Sequence, residues 1–308
     1  MDNIKKFVVL SLLMFLSSYY VFSLKNDLLL VINFKGTVMK REGDKWRSVV
    51  LNEFLGANEK VYIAKNGFIN LFDDGKKEYF VIHGEREFDL SNMVTNTKVY
   101  SGSSDALVKA LEKFANIFLS VTESESSKKS FRAFDNIDII PIYPKNGKVS
   151  ENLVNFSWLK KIHGEKVRFT LLDEEFNSII DTIVSENHIS YRFPVYECGK
   201  EFLWQVASLD EKSQVVSQFR SPCESDLSSF KSMIDSLDIF FSDNKSQNYY
   251  MIKGILCEDM GFYLDSYESY KQAYLMSNKE TEYENAINDF LSRQEVNATI
   301  LDILLGEE

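Results

Sequence analysis

Between Leu28 and Ile82 the chain consists of short apolar runs broken by turn residues at nearly regular intervals, and this punctuation limits the fold more than any other feature. The runs are Leu28–Phe34, Lys45–Leu51, Lys60–Ile63, Phe68–Phe72 and Glu78–Ile82, with Glu42-Gly43-Asp44 and Asp73-Asp74-Gly75 among the breaks. An Asp-Gly step between apolar runs marks a hairpin, because such turns need a positive φ that Gly adopts at least cost. No helical period interrupts the pattern, so residues 24–100 are predicted to form an all-β domain.

The same pattern returns from Ile139. Val154–Trp158, Lys166–Leu172, Ser178–Val184, His188–Phe193, Glu201–Ala207 and Val215–Arg220 read as strands. Six or seven strands in about 85 residues, with turn signals roughly every ten, is the spacing of a β-sandwich. Residues 137–222 are assigned to it, with Pro141, Tyr143, Pro144, Asn146 and Gly147 at the entry. Phe156 and Trp158 point to one face, and Phe202, Trp204 and Val206 share another. The two tryptophans allow a sugar-stacking platform, but their apolar neighbours at alternating positions favour a core. Between the β regions, residues 101–136 read as a helix and a linker. Ser101-Gly102-Ser103-Ser104 is a candidate cap, and Leu107, Leu111, Phe114 and Phe118 mark one amphipathic face. That face packs on the neighbouring β domain or meets a partner. The polar stretch Thr122–Lys129 reads as a solvated linker.

Strand signals stop at Pro222-Cys223, and residues 223–308 read as helical. Leu227, Phe230, Ile234, Leu237 and Phe241 form one periodic set. Tyr250, Gly254, Ser266, Tyr270 and Ala273 then follow at intervals of 4, 12, 4 and 3. A further helix over Glu280–Ser292 uses Tyr283, Ala286, Ile287 and Phe290. This tail is the most tyrosine-dense part of the chain. Tyr249, Tyr263, Tyr267 and Tyr274 are candidate partner-binding residues, since exposed tyrosines would form a groove for a peptide or a helix. The alternative is that the whole set is structural.

Three resemblances follow. Gly36-Thr37-Val38, Trp46 with Val49-Val50-Leu51, Val61-Tyr62-Ile63, and Ile69-Asn70-Leu71-Phe72-Asp73-Asp74-Gly75 resemble the FecR-type domain of bacterial envelope proteins. Asn58 and Glu59 depart from the Gly usual before its second apolar strand. Pro144-Lys145-Asn146-Gly147, Phe156-Ser157-Trp158, Arg168-Phe169-Thr170-Leu171 and Phe202-Leu203-Trp204-Gln205-Val206 resemble an immunoglobulin or fibronectin III-like module of bacterial surface proteins. The 4, 12, 4, 3 spacing is similar to the tetratricopeptide repeat (TPR), with departures at Lys253 and Asn278. The fold class implied is multidomain β plus α: an all-β FecR-like domain, an Ig/FnIII-like β-sandwich and a C-terminal TPR-like α-helical segment.

Residues 1–23 read as an export signal, with Lys5 and Lys6 before the apolar run Phe7–Leu16, and Val21 and Ser23 at the −3 and −1 positions of a cleavage site. The apolar character continues to Leu24, about 18 residues in all, so an uncleaved membrane anchor is the alternative. The net charge of −11 and the lack of a Lys/Arg cluster argue against nucleic acid and anionic lipid as partners. Of three cysteines, Cys198 and Cys223 share the predicted sandwich and are the only pair considered for a disulfide; three unpaired thiols is the other reading. Cysteine spacing matches no zinc pattern, and His83, His163 and His188 are scattered, so no metal or other cofactor is expected. No Gly-x-Ser-x-Gly, His-Glu-x-x-His or phosphate-cradling loop marks an enzyme. The expected role is therefore a non-enzymatic scaffold or adaptor of the periplasm or cell envelope, its partners other envelope proteins. The alternatives are a glycan- or peptidoglycan-binding protein using Trp46 or another exposed aromatic, and a FecR-type regulator if the N-terminal segment remains as an anchor.

Overall fold

The computed structural model describes residues 28–95, 98–99, 105–120, 139–160, 165–193, 197–210, 212–242 and 244–294. The expected export segment, the Ser101–Ser104 cap, the 122–129 linker and His163 lie outside the described residues. Those described form four antiparallel β-sheets and five α-helices, a mixed β and α class. No helix among them is long and apolar enough to cross a membrane. The chain divides into two compact units, Met1–Phe118 with Asp238–Asn244, and Leu119–Leu237 with Lys245–Glu308.

The first unit runs β1 (Leu28–Lys35), β2 (Val38–Glu42), β3 (Lys45–Ser48), β4 (Phe54–Gly56), β5 (Lys60–Ile63), β6 (Phe68–Asp73), β7 (Glu78–His83) and β8 (Arg86–Asp89). A 3-10 turn (Leu90–Thr95), β9 (Lys98–Val99) and helix α1 (Asp105–Ser120) follow. One sheet has the order β4-β1-β6-β7-β9 and the other β3-β2-β5-β8. The expected hairpin at Asp73-Asp74-Gly75 joins β6 to β7. Leu29, Val31, Val38, Val61, Ile63, Ile69, Leu71, Phe80 and Ile82 belong to one buried cluster drawn from both sheets. In α1, Leu107, Leu111 and Phe114 of the expected face are buried, together with Ala110 and Ala115.

Strands β1 and β6 are buried almost throughout, the pattern of strands covered on both faces. Two asparagines interrupt their apolar runs. Asn33 and Asn70 are register partners and are fully buried. The Asn33 Nδ2 donates to the Phe241 carbonyl (3.3 Å) and the Asn70 Nδ2 to the Phe240 carbonyl. The Asn244 Nδ2 donates to Asn33 Oδ1 (2.7 Å) and to the Phe34 carbonyl (3.0 Å). A helix leaves its last carbonyls without internal partners. Here the last turn of helix α2 (Glu224–Phe241) finds donors on the sheet, and Tyr79 meets Phe240 edge-on at 4.9 Å. Residues 238–244 therefore belong to the first unit, although the sequence reading placed them in the helical tail.

The second unit opens with a seven-stranded sandwich. β10 (Ile139–Tyr143), β11 (Leu153–Lys160) and β14 (His188–Arg192) form one sheet in the order β10-β11-β14. β12 (Val167–Leu172), β13 (Ser178–Val184), β15 (Glu201–Ser208) and β16 (Gln214–Arg220) form the other in the order β13-β12-β15-β16. Inward residues alternate along β11, β12 and β15, burying Phe156, Trp158, Phe169, Leu171, Trp204 and Val206. The Trp158 and Phe169 rings stack at 5.8 Å and 16°. Both tryptophans are thus core residues. α2 follows, then α3 (Gln247–Asp259), α4 (Tyr263–Met276) and α5 (Thr281–Arg293).

Two glycines set how closely these parts approach. A Cβ on Gly254 of α3 would lie 2.9–3.1 Å from three atoms of the Tyr270 ring on α4, and Ser266 Oγ donates to the Gly254 carbonyl at 2.8 Å. The small residues of the 4, 12, 4, 3 pattern therefore sit where the two helices cross. A Cβ on Gly147 would meet the Gly261 carbonyl oxygen at 2.6 Å and the Tyr263 ring at 2.7 Å. Its neighbour Lys148 donates its backbone N–H to that carbonyl at 2.7 Å. The entry segment of the sandwich thus presses against the α3–α4 turn with no side chain between.

The two core tryptophans differ in one respect. Trp204 Nε1 donates to the Pro144 carbonyl at 2.8 Å, whereas Trp158 Nε1 meets no acceptor among the described residues. Losing a made hydrogen bond costs about 1 kcal/mol, while removing an unpaired buried donor relieves a penalty. Trp204→Phe should therefore destabilise the protein by about 1 kcal/mol more than Trp158→Phe. Urea unfolding of the two variants, compared at equal m-values, measures the difference.

Candidate functional site

The site is built along the seam just described, wholly within the second unit. A cleft of about 370 Å³ lies between residues 149–155, which lead into and begin β11, and the faces of α3 and α4. Ser150, Glu151 and Asn155 line one wall; Tyr250 and Lys253 come from α3, and Asp265, Glu268 and Gln272 from α4. Leu153, Val154 and Leu264 give it an apolar part. Asp265, Glu268 and Gln272 fall at helical spacing and so share one face of α4. Ser150 Oγ donates to Asp265 Oδ1 at 2.8 Å, joining the walls at the base of the cleft.

Burial raises the Asp265 carboxyl above its usual range; the Ser150 hydrogen bond and the Lys253 charge oppose that, and Glu151 adds to it. Burial likewise raises Glu268, opposed by Lys271. The cleft thus holds three carboxylates against one ammonium, a setting that attracts cationic groups. No histidine is among its lining residues, so no Ser-His pair is assembled around Ser150. Among the described residues no group of three or more His, Cys, Asp or Glu side chains is placed to hold a metal ion.

A smaller cleft of about 220 Å³ lies beside Gly147 and Gly261. Its two cations already have partners: Lys148 bonds Asp226 at 2.8 Å, and Arg220 pairs with Glu201.

In the first unit the outer face of the β3-β2-β5-β8 sheet carries an aromatic pair. Trp46 is 38% exposed, and its ring meets Tyr62 edge-on at 6.2 Å. Cross-strand register puts Arg41 beside Trp46, and Met39 and Glu87 on either side of Tyr62. Directly opposed residues of an antiparallel pair share a face, so these side chains form one surface.

The tyrosines expected to form a groove are placed differently. Tyr249, Tyr267 and Tyr274 are buried, and only Tyr263 is partly exposed. Tyr267 packs on Tyr143 with ring centroids 5.1 Å apart. An exposed tyrosine groove is therefore corrected to a set used chiefly to pack helices, because each large ring contributes its area to the interior. The cleft-lining Tyr250 lies beside them in sequence, and partial exposure is what separates it from Tyr249.

Cys198 and Cys223 are joined in a disulfide, their Cα atoms 4.3 Å apart. Cys257 is a buried free thiol, and burial pushes its pKa up. Its environment is that of an inert core cysteine. His83 and His188 are exposed on β7 and β14 and contribute to neither cleft.

The raised Asp265 carboxyl gives a pH signature. A carboxyl whose pKa is higher in the folded state binds its proton more readily there. Its contribution to stability therefore rises as pH falls from above the folded value to below the unfolded value near 3.8. Asp265→Asn keeps an acceptor for Ser150 and removes the charge. The variant should equal or exceed the wild type in stability at pH 7, and the gap should close as pH falls towards 4. Paired urea titrations from pH 7 to pH 4 read that gap directly.

Compared with protein-family models and with curated proteins, the chain matches none.

Proposed function

We propose that the protein is a non-enzymatic scaffold or adaptor of the periplasm or cell envelope, with the seam cleft of its second unit as a contact site for a partner protein. The observation that carries this reading is the cleft itself: hydrogen-bonding and acidic side chains on three segments, with the sandwich entry held to the α3–α4 turn by main-chain contact. Such a surface suits a peptide segment bearing Lys or Arg, because charge complementarity steers encounter and fixes register.

The modular reading draws support from the elements. A three-stranded sheet β10-β11-β14 with a four-stranded β13-β12-β15-β16 is the order expected of a fibronectin III-like module. Gly254, Ser266 and Tyr270 at the α3–α4 crossing support a TPR-like pair. Buried Val38, Val61 and Ile69 on short strands are in keeping with a FecR-like domain. Envelope location rests on Lys5, Lys6 and the apolar run after them. An uncleaved N-terminal segment would make the protein a membrane-anchored regulator.

Crosslinking in the cells that make the protein, followed by mass spectrometry, reports partners and the mature N-terminus together. Envelope proteins should be recovered, and Glu268→Lys with Gln272→Arg should reduce the main adduct about tenfold or more. Both side chains reach solvent at the mouth of the cleft, although neighbouring protein desolvates the Glu268 carboxyl, so stability should change by no more than about 1 kcal/mol each. Recovery of cytosolic proteins alone, or an adduct unchanged by the double substitution, overturns the proposal.

A second reading, glycan binding, is favoured by the Trp46–Tyr62 pair on a sheet face that also carries Arg41 and Glu87. Sugar rings stack on exposed aromatics while flanking polar groups hold their hydroxyls. The protein should then be retained on purified cell-wall material, and Trp46→Ala should abolish retention. Equal retention of both forms removes this reading.

A further inference from the structure

The hairpin joining β12 to β13 ends in an aromatic that serves no core. Phe176 is 70% exposed, more than any other large apolar side chain among the described residues. It also has φ +65°, in the left-handed region. Among the described non-glycine residues with positive φ, Asn recurs and Phe176 is the only aromatic. Short polar side chains tolerate this conformation, whereas a bulky one is strained in it. A tip made for its own stability would carry Asn or Gly. This one spends strain to hold a phenyl ring in water.

The loop beneath that ring is ordered. Asp173 Oδ1 accepts from the backbone N–H groups of Glu175 (3.0 Å) and Asn177 (2.8 Å), and its Oδ2 accepts from Asn177 Nδ2 (3.1 Å). Phe176 N–H donates to the Asp173 carbonyl and Asp173 N–H to that of Asn177, both at 3.0 Å. The Phe176 backbone is thus positioned before any partner arrives, which lowers the ordering cost of binding.

Charge specifies the partner. Glu174 and Glu175 immediately precede Phe176 and are exposed. Lys200 reaches Glu174 at 4.0 Å and Glu197 at 2.7 Å, so the neighbouring turn at 197–200, closed by the Cys198–Cys223 disulfide, joins the same end of the sandwich. Asp173, Glu174, Glu175 and Glu197 give four carboxylates against one ammonium. Such a cluster repels an anionic lipid surface.

We infer that the β12–β13 tip is a docking knob, Phe176 entering an apolar pocket on a partner protein whose rim carries Lys or Arg. Aromatic anchors seated in well-packed pockets, surrounded by contacts that exclude water, are the usual energetic centre of an interface. This contact is separate from the seam cleft, so failure of either leaves the other standing.

The test places the photoreactive p-benzoylphenylalanine at position 176 of the full chain, in the cells that make it. The comparison position is Leu209, 54% exposed in the β15–β16 turn at the opposite end of that sheet. Position 176 should give one dominant protein adduct, mapped to a peptide with Lys or Arg, that position 209 does not give. Glu174→Lys with Glu175→Lys should cut its yield about fivefold or more. With the partner so identified and purified, Phe176→Asn should weaken binding about thirtyfold while folding at least as stably, since Asn suits the backbone. No adduct above the Leu209 level, adducts with lipid or with a second copy of this chain, or a yield unchanged by the charge reversal would each overturn the inference.

Discussion

The second unit depends on one close approach, the main chain at Gly147 against the carbonyl of Gly261. At that point no side chain separates the sandwich entry from the α3–α4 turn, and Lys148 donates its N–H across the gap. Asn146 and Arg220 bond the same entry segment to β16, through the Gln218 and Gly147 carbonyls. Side chains along this seam add further ties, among them Lys148 to Asp226, Ser150 to Asp265, and Lys145 to the Gln294 carbonyl. Individually, partly exposed ties of this kind contribute little. Their geometry follows from the backbone contact, and so does the shape of the cleft between residues 149–155 and the helices.

How legible this was in the sequence depended on whether the constraint was local. The Asp-Gly hairpin, the alternation around Trp158 and Trp204, and the helical spacing of Gly254, Ser266 and Tyr270 were readable because each repeats over a few residues. Strands β2, β4, β8 and β9 were missed: β4 and β9, at three and two residues, are too short to display a period, and β2 and β8 are mostly charged. The tyrosine-rich tail stayed open between a groove and a structural set because aromatic density reports area and not direction; three of the four chosen rings turn inward. The cleft draws on three separate segments, brought together by tertiary contacts such as Ser150 to Asp265, so no local pattern announces it. The pairing of Cys198 with Cys223 stayed open because spacing alone does not say that the ends of β15 and β16 meet.

Charge placement shows a similar division. Lys40 and Glu53 form a nearly buried pair at 2.9 Å in the first unit, with Arg47 also on Glu53 at 3.1 Å. Such pairs are weak evidence for stability, since desolvation opposes the Coulomb gain. They act instead on register, because a slip of one residue would turn Lys40 to the opposite face and strand Glu53. Glu174 and Glu175 beside Phe176, and Glu268 at the cleft, instead reach solvent.

The buried asparagines on β1 and β6 carry an implication about timing. Asn33 and Asn70 find their acceptors at Phe241 and Phe240, separated from them in sequence by 208 and 170 residues. A chain emerging from its N-terminus makes both strands long before it makes those carbonyls. Until residue 244 is available, the two amides have only water to bond, and the face they occupy is unfinished. The first unit is therefore begun before the second and completed only once residues 238–244 have been made. A chain delivered in an extended form and released whole would avoid that delay; one folding as it emerged would wait with a polar, half-covered sheet exposed.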